Sequence, residues 1–140
     1  MGVLSAEGVL LRRSATDKDD ALVQCAEALV ALGAVGDDYL TAMRERESQI
    51  STFLGEGVAI PHGTHAALGG IRRAAIAFLQ FPEGVDWDGQ DVRVCIPIAS
   101  RTDEHVDILS ALATTLSDPA AAAALREAED VDAVLALMAP

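Results

Sequence analysis

The segment Gly57-Val58-Ala59-Ile60-Pro61-His62-Gly63-Thr64 constrains this chain more than any other. Val58, Ala59 and Ile60 read as a brief buried strand. Pro61 fixes φ and removes a backbone donor, so strand pairing is expected to stop there. Gly63 has no Cβ, which lets the chain turn sharply and a bulky group approach its backbone. One imidazole is thereby placed at a rigid strand end with space beside it. A histidine held this way suits nucleophilic or proton-transfer chemistry, because neutral imidazole is available near pH 7. The plainer reading is a turn residue with a satisfied hydrogen bond, and the rest of the chain has to separate the two.

Hydrophobic residues fill 51% of the 140 positions, enough for a single domain over 1–140 whose core needs neither disulfide nor metal. Aromatics are only 4%, so Ala, Val and Leu must supply most of the interior. No stretch is long and apolar enough to span a bilayer, and Met1 to Leu11 lacks a basic region followed by a long apolar run. Neither direct membrane insertion nor secretion is expected, and the location read from this is cytoplasmic. The net charge of −12 disfavours nucleic acid and anionic membranes, and favours docking to a protein with a basic or apolar face. An anion handled by such a chain needs a local cation to offset the field. Cys25 lies in a helical pattern and Cys95 in a strand pattern, both among apolar neighbours, which predicts buried free thiols.

Val9 to Arg12 predicts a short strand. Ser14 to Asp17 carries N-cap chemistry for a helix with Leu22, Cys25, Ala26, Leu29 and Leu32 at helical spacing and Gly33 as its stop. A second helix starts near Asp37 or Asp38 and runs through Met43 to Glu47, ending in the cluster Arg44-Glu45-Arg46-Glu47. Thr64 to Gly70 reads as a loop and Ala74 to Gln80 as a strand. Phe81-Pro82-Glu83-Gly84 and Trp87-Asp88-Gly89 read as turns. Val92 to Ile98 reads as a strand buried on both faces, with Pro97 at an end or an unpaired position. Thr102 to His105 opens a helix with Val106, Leu109, Leu112, Ala113 and Leu116 as its stripe. Asp118-Pro119 starts another, with proline in the first turn, and Asp130 a last one ending at Met138. Strands mixed with helices in one short chain imply an α/β fold with a central sheet covered by helices.

His105 falls in the first turn of the helix after the long strand. In open α/β sheets, ligand sites form beyond strand C-terminal ends, beside helix N-termini, so the His62 and His105 turns could share one sheet edge. His65 adds a third imidazole. A zinc-dependent hydrolase built on His62, His65 and His105 is a possible reading, but the spacing lacks a ligand pair typical of zinc, and neither cysteine is near in sequence. The Gly-x-Ser-x-Gly elbow of serine hydrolases and the Walker phosphate loop are both missing.

Glu45-Arg46-Glu47, followed by Ser51-Thr52-Phe53-Leu54-Gly55-Glu56-Gly57 and the Val58–Thr64 turn, resembles the signature of the type-2 enzyme IIA domains of the phosphoenolpyruvate-dependent sugar phosphotransferase system, in the mannitol/fructose class. Asp103-Glu104-His105-Val106-Asp107-Ile108-Leu109 resembles that family's second motif, and Phe81-Pro82-Glu83-Gly84-Val85 its mannitol branch. The resemblance runs over essentially the whole chain. It implies a central mixed β-sheet flanked by helices on both faces and a phosphorylation cycle on His62. The donor would be the phosphorylated histidine-containing phosphocarrier protein (HPr). The acceptor would be a cysteine of an enzyme IIB belonging to a membrane enzyme IIBC, which phosphorylates mannitol or a fructose-class sugar on entry. By motif position, His105 and Arg46 become the residues that stabilise the phosphoryl group and Glu56 a lesser candidate; His65 lies outside the family pattern. No cofactor and no metal are implied. The nitrogen-related regulatory branch, whose phosphorylation state controls protein partners, is the alternative, and the mannitol-like stretch argues against it. Phe53, Leu54 and Val58 are candidates for an apolar docking ring.

Overall fold

Local caps fix the first layer. The Asp17 carboxylate accepts from the Asp20 amide at 2.8 Å and starts α1 (Lys18–Ala31). Gly33, at φ +73°, closes it: its N–H donates to Val30 O at 2.9 Å, and Ala34 N–H donates to Leu29 O at 3.1 Å. α2 (Tyr39–Gln49) follows from Asp38. Three helices close the chain: α3 (Thr102–Leu116), α4 (Pro119–Arg126) and α5 (Val131–Met138). The Asp118 and Asp130 carboxylates accept from first-turn amides of α4 and α5. This computed structural model describes residues 3–64 and 70–138, with residues 102 and 103 described by backbone alone; His65 and most of the loop read over Thr64–Gly70 lie outside them.

The strands are β1 (Val9–Leu10), β2 (Phe53–Gly55), β3 (Val58–Ala59), β4 (Ala75–Ile76), β5 (Phe78–Trp87), β6 (Gln90–Cys95) and β7 (Ile98–Ala99). Five form one sheet in the order β1-β5-β6-β3-β2. β1 runs parallel to β5 and β3 parallel to β6, while β5 with β6 and β2 with β3 are antiparallel. The sheet is therefore mixed, as expected. β4 and β7 pair antiparallel beside it, and Ala77 N–H to Pro97 O at 3.2 Å ties the two paths together.

Strand alternation builds two cores. Ala59, Ala77, Leu79 and Cys95 turn to one face and pack with Leu22, Cys25 and Leu29 of α1 and Met43 of α2. Val58, Ile76, Phe78 and Val94 turn to the other and pack with Ile108 and Leu112 of α3, Leu125 of α4 and Val134 of α5. Helices thus cover both faces. Cys25 and Cys95 are buried free thiols in the first core, where burial, followed by the hydrogen bond the Cys25 S–H donates to Cys95, pushes the Cys25 thiol well up.

Three expectations need correction, and one strand escapes the sequence reading. Phe81–Gly84 is not a turn but the middle of β5, where the register slips between Gln80 and Val85; the bulge takes Pro82 out of the ladder and uses Gly84 at φ +82°. The true hairpin turn is Asp88-Gly89, both at positive φ, as read. β2 was not anticipated, because three residues give no periodicity. Pairing does not end at Pro61: a parallel bridge joins His62 to Ile98, with Ile98 N–H donating to Pro61 O at 2.9 Å. Proline costs that strand only its own donor. On α3 the buried stripe is Ile108, Leu112 and Leu116, while Val106 and Ala113 are exposed. Pro97 occupies the break between β6 and β7, outside either strand, with its carbonyl accepting from Ala77 N–H.

Candidate phosphoryl-transfer site

His62 sits just past the C-terminal end of β3. Its Nδ1 lies 2.8 Å from the Ile60 carbonyl oxygen, which only accepts, so the proton is on Nδ1 and the lone pair on Nε2. Among the described residues no hydrogen bond occupies Nε2. The Ile60 amide is held in turn by Thr52 O at 3.0 Å across the hairpin. The ring is half-buried.

His105 comes from the first turn of α3, and its ring centroid is 5.0 Å from that of His62, tilted by 53°. The Ser100 hydroxyl oxygen, buried, stands 2.9 Å from His105 Nδ1 and fixes the plane of the second ring. Arg46 lies in the last turn of α2 and donates through Nη1 to the Ile50 carbonyl at 2.5 Å, leaving the rest of its fork unspent by that bond.

Both imidazoles titrate below their ordinary range. For His62 burial is the leading cause; the Ile60 hydrogen bond works against it, and the His105 and Arg46 charges add to the depression, with Glu47 opposing. For His105 burial again leads, followed by the Arg46 charge. The Arg46 charge thus acts on both rings, and both rings are neutral at pH 7.

Two residues at the base of the site have partners too distant in sequence to be foreseen. Glu47 is buried next to Arg46. Its carboxylate accepts from Thr52 N–H (3.0 Å), the Thr52 hydroxyl (2.5 Å) and Trp87 Nε1–H (3.3 Å), and pairs with Lys18 Nζ at 3.2 Å. Tyr39, at the start of α2, accepts from Gly63 N–H at 2.8 Å and donates to the Ile98 carbonyl at 2.9 Å. The only sequence hints were a glutamate inside a charged cluster and a tyrosine after a helix cap.

Glu56 is not brought into the cluster. It lies at φ +55° in the β2–β3 turn, at the opposite end of β3 from His62. Arg126 of α4 holds it there, donating through Nη1 to its carbonyl at 2.6 Å and standing 3.7 Å from its carboxylate. That turn borders a cavity of about 660 Å³ also lined by Arg12, Arg93 and Arg126, which contains none of the described histidines. His65 lies outside the described residues, among which no three metal-capable side chains converge.

Of the foreseen docking ring, Val58 is wholly buried and Phe53 packs partly against the α1/α2 core. Leu54 is 51% exposed. Ile50, at 72%, and Val106, at 61%, are the exposed apolar residues that flank the site, one beside Arg46 and one beside His105. No single described helix is long and apolar enough to cross a membrane.

Comparison with known proteins identifies the family. Residues 2–139 match the family model described as phosphoenolpyruvate-dependent sugar phosphotransferase system, EIIA 2. The mannitol-specific phosphotransferase enzyme IIA component of Staphylococcus aureus is 42% identical over 116 residues, covering 83% of this chain and 81% of its own. Enzyme IIAMtl of Escherichia coli, solved in complex with phosphorylated enzyme IIBMtl, superposes with a TM-score of 0.90 at 36% identity, covering 96% of each chain. The nitrogen regulatory protein IIA-Ntr of Neisseria meningitidis superposes at 0.85 with 28% identity, covering 98% of this chain and 97% of its own. With nearly every residue inside the family match and relatives aligned over most of their length, the chain belongs to the type-2 enzyme IIA family of the sugar phosphotransferase system and is a phosphotransferase component that works through phosphohistidine.

Proposed function

We propose that His62 Nε2 is the atom that carries the phosphoryl group, with Arg46 and His105 as its stabilising partners. The observation that carries this reading is the Nδ1–Ile60 hydrogen bond, which leaves Nε2 as the lone-pair nitrogen of a neutral ring facing a second neutral ring 5.0 Å away. The donor is phosphorylated HPr and the acceptor a cysteine thiolate of an enzyme IIB. The chain serves mannitol uptake in the cytoplasm, a reading supported by its likeness to the mannitol-specific enzyme IIA component of S. aureus. The regulatory reading is not favoured: resemblance to the nitrogen protein is weaker than to the mannitol proteins.

Phosphoryl transfer passes through a loose, in-line transition state, so positioning and charge stabilisation dominate. The Nε2 lone pair forms the new P–N bond as the P–N bond to HPr breaks. No proton moves. Nδ1–H stays on Ile60 O, and the positive charge that develops on the ring strengthens that hydrogen bond. With the Ser100 hydroxyl donating to His105 Nδ1, His105 keeps its proton on Nε2 and donates to an equatorial phosphoryl oxygen, and the Arg46 fork donates to another. In the second step the thiolate attacks phosphorus, the P–Nε2 bond breaks, and its electrons return to the ring. Ile50 and Val106 supply apolar contact to whichever protein is docked, as the shallow site of a two-sided carrier requires.

The test is reconstitution with phosphoenolpyruvate, enzyme I and HPr, followed by mapping of acid-labile phosphate. One label per chain, on His62, is expected, and none in His62→Ala. A label that persists in His62→Ala refutes the assignment.

A further inference from the structure

The bridge between His62 and Ile98 is a parallel one, and in such a bridge residue 98 makes two rungs: its N–H donates to residue 61 and its carbonyl accepts from residue 63. The first rung is direct, at 2.9 Å. The second carries an inserted atom: Gly63 N–H donates to the Tyr39 hydroxyl at 2.8 Å, and that hydroxyl donates to Ile98 O at 2.9 Å. A side-chain oxygen stands where two main-chain groups would meet.

What hangs from the two arms gives this rung its importance. One arm is His62, one residue before Gly63. The other runs from Ile98 to Ser100, whose hydroxyl contacts His105. The width of the Tyr39 rung therefore sets the spacing of the two arms, and with it the 5.0 Å between rings. Tyr39 also belongs to the helix that carries Arg46. The two residues are seven apart, two turns and about 10 Å of axial rise on one helix face. One rigid element thus ties together all three groups of the site. The tyrosine is buried, and burial raises its hydroxyl's pKa against the Gly63 bond, so it remains a neutral donor and acceptor. Gly63 fits the same scheme: a Cβ there would lie 2.7 Å from Tyr39 Cε1 and 3.0 Å from Cζ, so a side chain would push the ring off the rung.

We infer that Tyr39 is a positioning residue for phosphoryl transfer, its hydroxyl acting as a spacer rung between the His62 and His105 arms. The inference rests on the reading of His62 as the phosphoryl carrier. The test is Tyr39→Phe in the full chain, which keeps the ring and removes only the rung. Acceptance from phosphorylated HPr is expected to lose about 10–10²-fold in kcat with KM unchanged, the size of effect a misplacement near 1 Å produces. The imidazole resonances of His62 and His105 are expected to move in the unphosphorylated protein, a readout that needs no phosphoryl chemistry. Thermal unfolding checks that the variant is folded; should it not fold, Gly63→Ala displaces the same ring and must give the same kcat loss and resonance shifts. Wild-type kcat, a change confined to KM, or unmoved resonances in a folded variant would each overturn the inference. Failure of the parent reading looks different: the wild-type chain would take no label on His62, while the resonance shifts would still appear.

Discussion

Replacing Glu47 by alanine tests the physical basis of the site at its base. The Glu47 carboxylate answers three buried donors, Thr52 N–H, Thr52 Oγ–H and Trp87 Nε1–H, and a partly covered Lys18 ammonium. Removing it strands the three buried donors, while Lys18 keeps the Asp88 carboxylate at 2.5 Å. A buried donor left unanswered costs about 1–3 kcal/mol. These costs overlap, because water entering beside the partly exposed Lys18 recovers part of each. The net loss for Glu47→Ala is about 3–4 kcal/mol on that basis. For a chain of this size it lowers Tm by about 10 °C, at roughly 3 °C per kcal/mol. Glu47→Gln keeps the shape and one acceptor oxygen and gives up the charge and one acceptor, so it should cost about half as much. The assay is thermal unfolding by circular dichroism at pH 7. The loss reaches the site by a short chain of bonds: Glu47 holds Thr52, Thr52 O holds Ile60 N–H, and Ile60 O holds His62 Nδ1. Phosphoryl acceptance should fall with it, even at temperatures where Glu47→Ala is fully folded. A Tm within about 2 °C of wild type, less than one kcal/mol by the same scaling, would refute the reasoning. So would a glutamine variant as unstable as the alanine one.

Arg46→Ala and His105→Ala should each slow phosphoryl acceptance by about 10²–10³, the cost of one lost charge-stabilising donor, with the fold intact; rapid-quench labelling measures it, and wild-type rates would leave His62 without partners. Because both histidine pKa values are lowered, transfer should be flat above the ordinary imidazole value of 6.5 and fall only at lower pH, as His62 takes up a proton. Arg46→Gln removes a charge that lowers both rings, so the NMR titration midpoints of His62 and His105 should move up towards 6.5; midpoints that stay or drop contradict the assignment. Stability follows the same sign: the unfolded histidines bind protons first, so the folded state loses stability as pH falls from about 6.5 through the lowered values. Glu56→Ala should leave the rate within twofold of wild type in the same labelling assay, since its contacts are with Arg126; a rate loss above tenfold would return it to the site.

What the sequence made legible was local. Asp17, Gly33 and Asp118-Pro119 mark helix ends because cap and stop chemistry involves residues within a turn of one another. The His62 turn is legible for the same reason: Pro61 and Gly63 act on the adjacent backbone, and the acceptor of His62 Nδ1 is only two residues away. The stretch Phe81–Gly84 misleads because proline and glycine serve bulges as well as turns, and only the partner strand distinguishes them. Val106 misleads because helical spacing alone does not say which of two adjacent stripes meets the sheet. Glu47 and Tyr39 were hidden for a different reason. Trp87 is 40 residues from Glu47, and Ile98 is 59 from Tyr39, so their roles exist only once β5 and β7 are in place. Glu56 was assigned by motif position, and the hairpin that carries it points its turn away from the histidines.

Under the proposed assignment of the phosphoryl group to His62, with Arg46 as its partner, burial accounts for both acceptance and release of the cargo. A carrier must not hold the phosphoryl group too well, and the chain has one force working in each direction. Desolvation leads the lowering of the His62 pKa. The same desolvation opposes the cationic ring that exists once Nε2 bears phosphorus, which keeps the phosphorylated state high in free energy and ready to give the group up. The Ile60 carbonyl and the Glu47 charge act in the opposite sense and keep that state accessible. Arg46 pulls on the phosphoryl oxygens while repelling the ring beneath them, so its net effect grows only as negative charge gathers on the oxygens in transit. A second positive charge near His62 would therefore be no improvement. Ser100→Lys, placed next to His105, should lower the His62 pKa further and slow acceptance from phosphorylated HPr in the rapid-quench assay; an acceptance rate equal to or above wild type would refute this balance.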